Sequence, residues 1–432
     1  MVSLRGEAGR ERGDPRLVYP HQRLPPFKED NRPAGRELVG VVTFSHSLQH
    51  LYVGVLPLIY PLAVAEFHVS YTALGLLLGA VGVVGGLLQA AAGFYQRVAA
   101  RLVLSLQNVS LAATLVMIAL APSFLVFGAG RFLGALFSSP QHPVGNAVLA
   151  RNFPERRAAV LSWHTTGGNI GTLAVPLLAS VLIARFGWRV ALMVFAVPIA
   201  AGAIVVWLRL RDRSHNLHRG EGAVATVSLR QVLRRRSTWA IMLAGTIAAG
   251  GRGLGTINAY VPAYLHTGLR LPQVTVGALY TVVLVGAVVG PVGAGYLADR
   301  YGRWRIALFS YLSGAVVLAL FGMVHGLAVL AVVGALIGIL AFAESPLLQA
   351  LFSDAVQGAP QQAAFGWYFA VSYGAGSVWI AVLGATIDPW GFAATFWLMG
   401  ASFLAAAAML LLARQGDVPT ASPGPGGTGS AR

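Results

Sequence analysis

The stretch FSHSLQHLY, residues 44–52, places His46 and His50 four positions apart. On a helix that spacing puts both imidazoles on one face. Such a pair can hold a metal ion, pass a proton or contact a bound molecule. Gln49 and Tyr52 stand beside them. Further ionisable side chains interrupt otherwise apolar runs: Arg131, His142, His164, Arg252 and Glu344. Arg252, in AAGGRGLG, is flanked by glycines that open backbone space around it. A lone buried guanidinium wants an anion, either Glu344 or a carboxylate or phosphonate on a substrate. Glu344, in AFAESPLL, is the one carboxylate deep in an apolar run, and it can bind and release protons. His142 sits in SPQHPVG, where Pro143 frees a backbone carbonyl that the ring can satisfy. His164 can bond polar groups on neighbouring helices.

The elements that must carry these groups are set by composition. The chain has 432 residues, 56% of them hydrophobic and only 11% charged. Soluble domains carry about 25% charged residues. A chain this apolar is a polytopic membrane protein. Cysteine is absent, which removes disulfides, haem attachment and thiolate metal sites. The net charge of +16 comes from arginines placed between apolar runs. That placement is the mark of cytoplasmic loops, not of nucleic-acid binding.

A span needs roughly 20 apolar residues. Twelve candidates follow: 38–64, 71–95, 102–121, 124–151, 157–184, 188–208, 238–266, 273–297, 305–324, 327–351, 361–386 and 390–413. Of the 31 Lys and Arg residues, 26 then fall on the side of the N-terminus. Arg185, Arg189 and Arg270 fall opposite, and Arg131 and Arg252 fall within spans. This asymmetry predicts two cytoplasmic termini in a bacterial inner membrane. Residues 1–37 read as a disordered cytoplasmic tail rather than a signal peptide. Residues 414–432 read as a second disordered tail. Residues 209–237 form a basic cytoplasmic linker between the six-span halves 38–208 and 238–413, and the bilayer is its expected partner.

The halves repeat. FGW at 186–188 answers WGF at 390–392, and GYLADRYGRWR at 295–305 answers a degraded GFYQRVAAR at 93–101. Internal repeats of this size point to a transporter with its site between the halves. The six-plus-six pattern, the central loop and the G-x-L-A-D-R-x-G-R motif resemble the major facilitator superfamily. Within it, SHSLQHLYVGVLP (45–57), LFSSPQHPVGNAVLAR (136–151) and TTGGNIGTLAVPLL (165–178) are similar to the fosmidomycin-resistance type of efflux proteins. The resemblance implies an all-α, twelve-helix fold of two pseudo-symmetric halves. It implies that spans one, four, seven and ten line a central cavity. It also implies that the loop motif, here Asp299, Arg300 and Arg303, gates the transport cycle, and that Arg131 is structural or transfers protons. Two departures stand out. Gln49-His50 replaces the Asn-Asp pair usual in that subgroup, and Pro176 follows Val175 rather than glycine.

At 1.5 Å per residue, His46, His142, His164 and Glu344 come out about 10–13 Å from the cytoplasmic end. His50 and Arg252 come out about 18–21 Å in, near the midplane. The expected arrangement is an inner polar layer of His46, His142 and Glu344, with His50 toward Arg252. Arg131 comes near the outer end, on one face with His142. Tyr52, Tyr60, Tyr260 and Tyr264 suit a cavity for an organic molecule. Because His50 lies a turn deeper than its neighbours, no metal site is expected, and no cofactor. The expected function is alternating-access transport of a small organic compound, with proton-coupled efflux, by a monomer. Uptake of an organic anion anchored by Arg252 is the alternative, and a non-transporting sensor is a third reading. Neither a Walker loop nor a nucleophile elbow is present, so no enzyme is expected.

Overall fold

The computed structural model describes residues 33–90, 98–210, 228–357 and 361–415. Most of both expected tails, the middle of the basic linker and Arg97 of the degraded motif lie outside the described residues. Span one begins at Pro33 and runs to Glu66, so residues 33–37 are helix rather than tail. Proline suits a first helical position because its missing N–H would have no partner there.

Among the described residues, nine helical segments are long and apolar enough to cross a membrane. Two of these fold back on themselves to give eleven passes, and a two-piece helix outside the nine makes the twelfth. The 53-residue helix Arg157–Arg209 would extend about 80 Å if straight, against a hydrocarbon core of about 30 Å. It folds at Gly187, where φ is 80°. Gly171 packs on Ser47 and Gly202 on Leu48, so both arms pass the same level of span one. The helix Val378–Gln415 folds likewise at Gly391, φ 75°, and Thr386 Oγ1 meets Thr395 Oγ1 across the turn at 2.8 Å. These are the glycines of FGW and WGF, and a side chain with Cβ is strained at both. The fourth pass is in two pieces, Phe124–Ser138 and Gln141–Asn152, because Pro140 cannot continue the first.

The halves meet along two seams. Span two (Tyr71–Ala90) presents Gly75, Gly79, Gly82 and Gly86 to span eleven, where Ile380, Ser377, Ala381 and Gly374 come against them. Backbone-to-backbone approach of this kind replaces the missing hydrophobic drive between helices in lipid. Span eight (Gln273–Tyr301) brings Gly277 against Ser180 and Pro176 of span five.

One carboxylate ties the halves at the bundle end opposite the termini. Asp388 accepts from the backbone N–H of Tyr71 (3.1 Å) and Thr72 (2.9 Å) and from Thr72 Oγ1 (2.6 Å). It caps the N-terminus of span two from the other half, where a negative charge is favoured. Burial alone would raise its pKa. The bonds from Thr72, Tyr71 and Ser70 outweigh that and hold the carboxyl below its ordinary value. Its stabilisation is therefore full above the unfolded-state pKa of about 3.9 and is lost as pH falls through the lower folded-state value. In thermal melts, wild type should exceed Asp388→Asn at pH 7, and the difference should shrink only below about pH 4. A difference independent of pH would contradict this cap.

The loop motif makes one ion pair among the described residues, and not through Asp299. Asp299 and Arg300 are exposed, and the Arg300 guanidinium lies 5.5 Å over the Tyr301 ring. The ion pair here is made instead by Arg303 with Asp354, at 2.5 Å, between spans nine and ten of the same half. Both side chains are about half exposed, so its worth is at most about 1 kcal/mol. Gly302 turns the chain at φ 96°.

Candidate functional site: a cavity between the halves with two buried polar clusters

A cavity of about 300 Å³ lies between the halves. Span one supplies Gln49, Tyr52 and Tyr60, span four Arg131, Ser138, Ser139 and His142, and span seven Asn258. Span two lines it with Gly82, Gly85 and Gly86, and span eleven with Tyr373 and Ser377. The expectation of a cavity lined by spans one, four, seven and ten is thus corrected. Spans two and eleven take the place of span ten because their small residues let the cavity reach them. Tyr260 and Tyr264 are not on its wall. Tyr260 OH donates to the Ile380 carbonyl, and Tyr264 packs among Phe321, Phe392 and Phe396.

Arg131, expected near the outer end, is in the cavity wall. Its Nη1 donates to Tyr52 OH at 3.0 Å, and Tyr60 lies below it at 5.9 Å. Its Nε has no partner in the protein. Tyr52 presses its hydroxyl against Gly134, where a Cβ would collide with it, and so aims it at Arg131.

The first polar cluster is the histidines, of which His46 and His164 are buried, His50 is half-buried and His142 is exposed to the cavity. His46 meets His50 at 4.5 Å between ring centroids, His142 at 4.8 Å and His164 at 4.2 Å. His50 stays a turn along span one from His46, with its ring 6.4 Å from that of His142, so the difference in depth still leaves the rings close together. His142, at the start of the second piece of span four, comes nearer to His46 than to His50. His50 does not turn to Arg252, and its Nδ1 meets Thr172 Oγ1 at 2.5 Å. Beside these rings, Ser45 donates to Gln141 (3.0 Å), Gln107 donates to the same oxygen (2.7 Å), and Asn108 donates to Ser45 (3.1 Å). Neutral amides and a hydroxyl scattered over three spans carry no periodic signal, so sequence reasoning passed over them.

The second cluster surrounds Arg252. Its Nε donates to Glu344 Oε2 at 3.2 Å and its Nη2 to Oε1 at 3.3 Å. Nη1 donates to the Ser372 carbonyl at 2.8 Å and Nη2 to the Gly245 carbonyl at 2.5 Å. The Tyr373 ring stacks on the guanidinium at 4.2 Å. Tyr311 OH donates to Glu344 Oε1 at 3.2 Å. Of the two partners the sequence allowed Arg252, the structure realises Glu344. Glu344 is therefore paired with Arg252 and not with His46 or His142.

Span seven is broken to make this site. Arg252 itself is extended, φ −68° and ψ 134°, between a 3₁₀ turn (Ala249–Gly251) and a π-helical turn (Gly253–Ile257). The Thr256 hydroxyl lies 2.8 Å from the Gly250 carbonyl and 3.3 Å from those of Ala249 and Arg252, which satisfies backbone groups the break frees. Phe342 occupies the space where Gly253 has no side chain. Span eleven has its own π-helical turn at Phe369–Gly374, and this leaves the Ser372 carbonyl for Arg252. The first half repeats the device: His46 Nδ1 bonds the His164 carbonyl at 2.8 Å, a separation of 118 residues against 120 for Arg252 and Ser372.

A family model described as Major Facilitator Superfamily matches residues 42–381 and again 253–431. The chain belongs to the major facilitator superfamily. It is a multi-pass membrane transporter and not an enzyme. Among superfamily relatives, the fosmidomycin resistance protein of Escherichia coli (strain K12) is 26% identical over 359 residues, covering 81% of this chain and 86% of that protein. The cis,cis-muconate transport protein of Acinetobacter baylyi is 28% identical over 214 residues, 46% of this chain and 49% of that one. The nucleoside transporter NupG superposes with a TM-score of 0.74 at 13% identity, over 88% of this chain and 99% of its own. That likeness concerns the fold.

Proposed function

We propose that this transporter is a proton-coupled exporter of a small organic compound with an anionic group, which it holds at Arg131. The observation that carries the reading is Arg131 in the wall of an inter-half cavity, with a buried carboxylate, Glu344, paired to Arg252, on whose guanidinium the cavity-lining Tyr373 stacks. Arg131 has an unfilled donor, whereas Arg252 has its donors committed to Glu344 and two carbonyls. Gln49, Tyr52, Asn258 and His142 supply neutral polar contacts around it. Glu344 is the proton site of this proposal. Protonating it removes the charge partner of Arg252, which stands at the break in span seven. One turn further on, Asn258 lines the cavity. The break is thus the two-state element that both proton and substrate can bias. Both termini lie on the cytoplasmic side in this reading, the inner membrane is its location, and the working unit is a monomer.

The relative named for resistance favours export. The relative named for cis,cis-muconate transport favours uptake of an organic anion, and in that second reading the anchor is Arg131 rather than Arg252. Reconstituted protein tests both. With fosmidomycin and cis,cis-muconate as probes, an imposed pH gradient should drive transport, and a protonophore should stop it. Glu344→Gln keeps an oxygen for Arg252 and Tyr311 but cannot ionise. It should abolish gradient-driven accumulation and spare exchange of substrate across the bilayer. Accumulation by Glu344→Gln at the wild-type rate would remove Glu344 as the proton site. Direction follows from the sign of the gradient that drives accumulation.

A further inference from the structure

We infer that His46, His50 and His142 form a binding site for a borderline divalent transition-metal ion at the edge of the cavity. Each of the three rings offers one nitrogen, and these nitrogens lie within 4.8 Å of one another. Ligation at about 2.0–2.1 Å in a tetrahedral site brings donors to about 3.4 Å apart. The rings therefore have to swing inward by roughly 1 Å, which side-chain torsions allow.

The ring orientations suit this task before any ion arrives. The His164 carbonyl can only accept, so the bonded His46 Nδ1 carries the proton. The Thr172 hydroxyl lies 3.3 Å from the Gly168 carbonyl and 2.5 Å from His50 Nδ1; donating to the carbonyl and accepting from an Nδ1–H satisfies both contacts, and metal ligation selects that tautomer. In both rings Nε2 is left with a free lone pair. An N–H bond to an oxygen on the far side of the ring is the usual support of a metal-bound histidine, and it fixes tautomer and orientation. His46 is only 2% exposed, and its Nε2 has no partner in the protein. A buried acceptor left unpaired costs about 1–3 kcal/mol, so the site calls for something to fill it. Gly168 lies tight against the His46 ring, where an added Cβ would come within 2.6 Å, and His164 stacks on its other face. The His46 ring is held where it stands, so the inward swing falls to His50 and His142.

The donors select the ion. All three are imidazole nitrogens, which suit Zn²⁺, Cu²⁺, Ni²⁺ and Co²⁺ and not Mg²⁺ or Ca²⁺, whose ligands are oxygens. Three histidines leave a fourth position open. His142 is exposed and lines the cavity, so that position faces the cavity. There a water, a hydroxide or an anionic oxygen of a cavity occupant can complete the shell and offset the charge of the ion. The site stands whatever the cavity carries.

Co²⁺ is the probe of choice. Purified full-length protein without a histidine tag, stripped with chelator, should take up one Co²⁺ and develop the intense visible bands of four- or five-coordinate cobalt. Zn²⁺ should displace it. His142→Ala should abolish the bands while the metal-free variant melts like the wild type, since this ring opens on the cavity. Thr172→Val should weaken binding about 10–100-fold, the usual cost of losing an outer-shell partner. His325→Ala, in an exposed turn, should leave binding unchanged. No uptake by the wild type, or bands that survive His142→Ala, would overturn the inference.

Discussion

Glu344→Ala is expected to cost about 3–5 kcal/mol of stability, the measured range for breaking a buried ion pair. The size follows from what is left behind. Arg252 is 6% exposed and Glu344 0% in their side chains. Removing the carboxylate leaves a guanidinium in apolar surroundings with only two carbonyls and one aromatic face. It also leaves Tyr311 OH without its acceptor. Replacing both charges tests whether charge is the cause. An Arg252→Met/Glu344→Met variant has no stranded ion, and such exchanges are often neutral or stabilising. Here it also strips donors from the Ser372 and Gly245 carbonyls, at about 1–3 kcal/mol for each group left unsatisfied. The double variant should therefore be more stable than Glu344→Ala and no more stable than the wild type. Thermal melts and size-exclusion profiles in detergent decide the order. A Glu344→Ala protein that melts with the wild type would show that the pair contributes nothing to the fold.

Arg131→Ala is expected to weaken substrate binding by roughly 10–150-fold, the equivalent of one charged hydrogen bond of about 1.5–3 kcal/mol. Tyr52 OH already takes one Arg131 donor at 3.0 Å, so in the proposed reading a bound anion uses those that remain. Arg131→Lys keeps the charge but loses the planar fork and should recover only part of the affinity. Tyr52→Phe leaves Arg131 charged but unaimed, and its effect should be smaller than that of Arg131→Ala. The measurements are Kd by titration calorimetry and KM for transport in proteoliposomes, with fosmidomycin and cis,cis-muconate. A purely structural arginine gives the opposite pattern: the melting temperature falls while the KM of the surviving protein is unchanged.

The parts of the molecule that depend on regular periodicity were legible in the sequence. Apolar runs of span length, the paired FGW and WGF turns and the arginine-rich gaps all rest on local chemistry. So does the match of Arg252 with Glu344 or a substrate anion, since few charges stand inside the spans to choose from. What was lost came from reading position only as depth along straight helices. A rise of 1.5 Å per residue sets His50 a turn away from His46 and His142. A turn of depth nevertheless leaves the rings in contact range, 4.5 Å between His46 and His50. The same assumption hid the interruption at Arg252, and with it the work of Thr256. The carbonyls of Ser372, Gly245 and His164 bond key side chains, but a backbone oxygen has no residue type to betray it. The place of Arg131 in the cavity wall was missed because depth along a span says nothing about which way the cavity extends.

The broken seventh span also bears on the order of synthesis. Arg252 leaves the ribosome 92 residues before Glu344 and 120 before Ser372. Span seven therefore enters the bilayer with its guanidinium unmatched, at an insertion cost of about 2.5–3.5 kcal/mol for a central arginine. Its mean hydropathy, 1.2, is the lowest of the nine crossing segments. A nascent chain that ends before span ten has no carboxylate to give it. The second half of this transporter can then settle only late, when spans ten and eleven arrive to receive an arginine that has been waiting in the membrane.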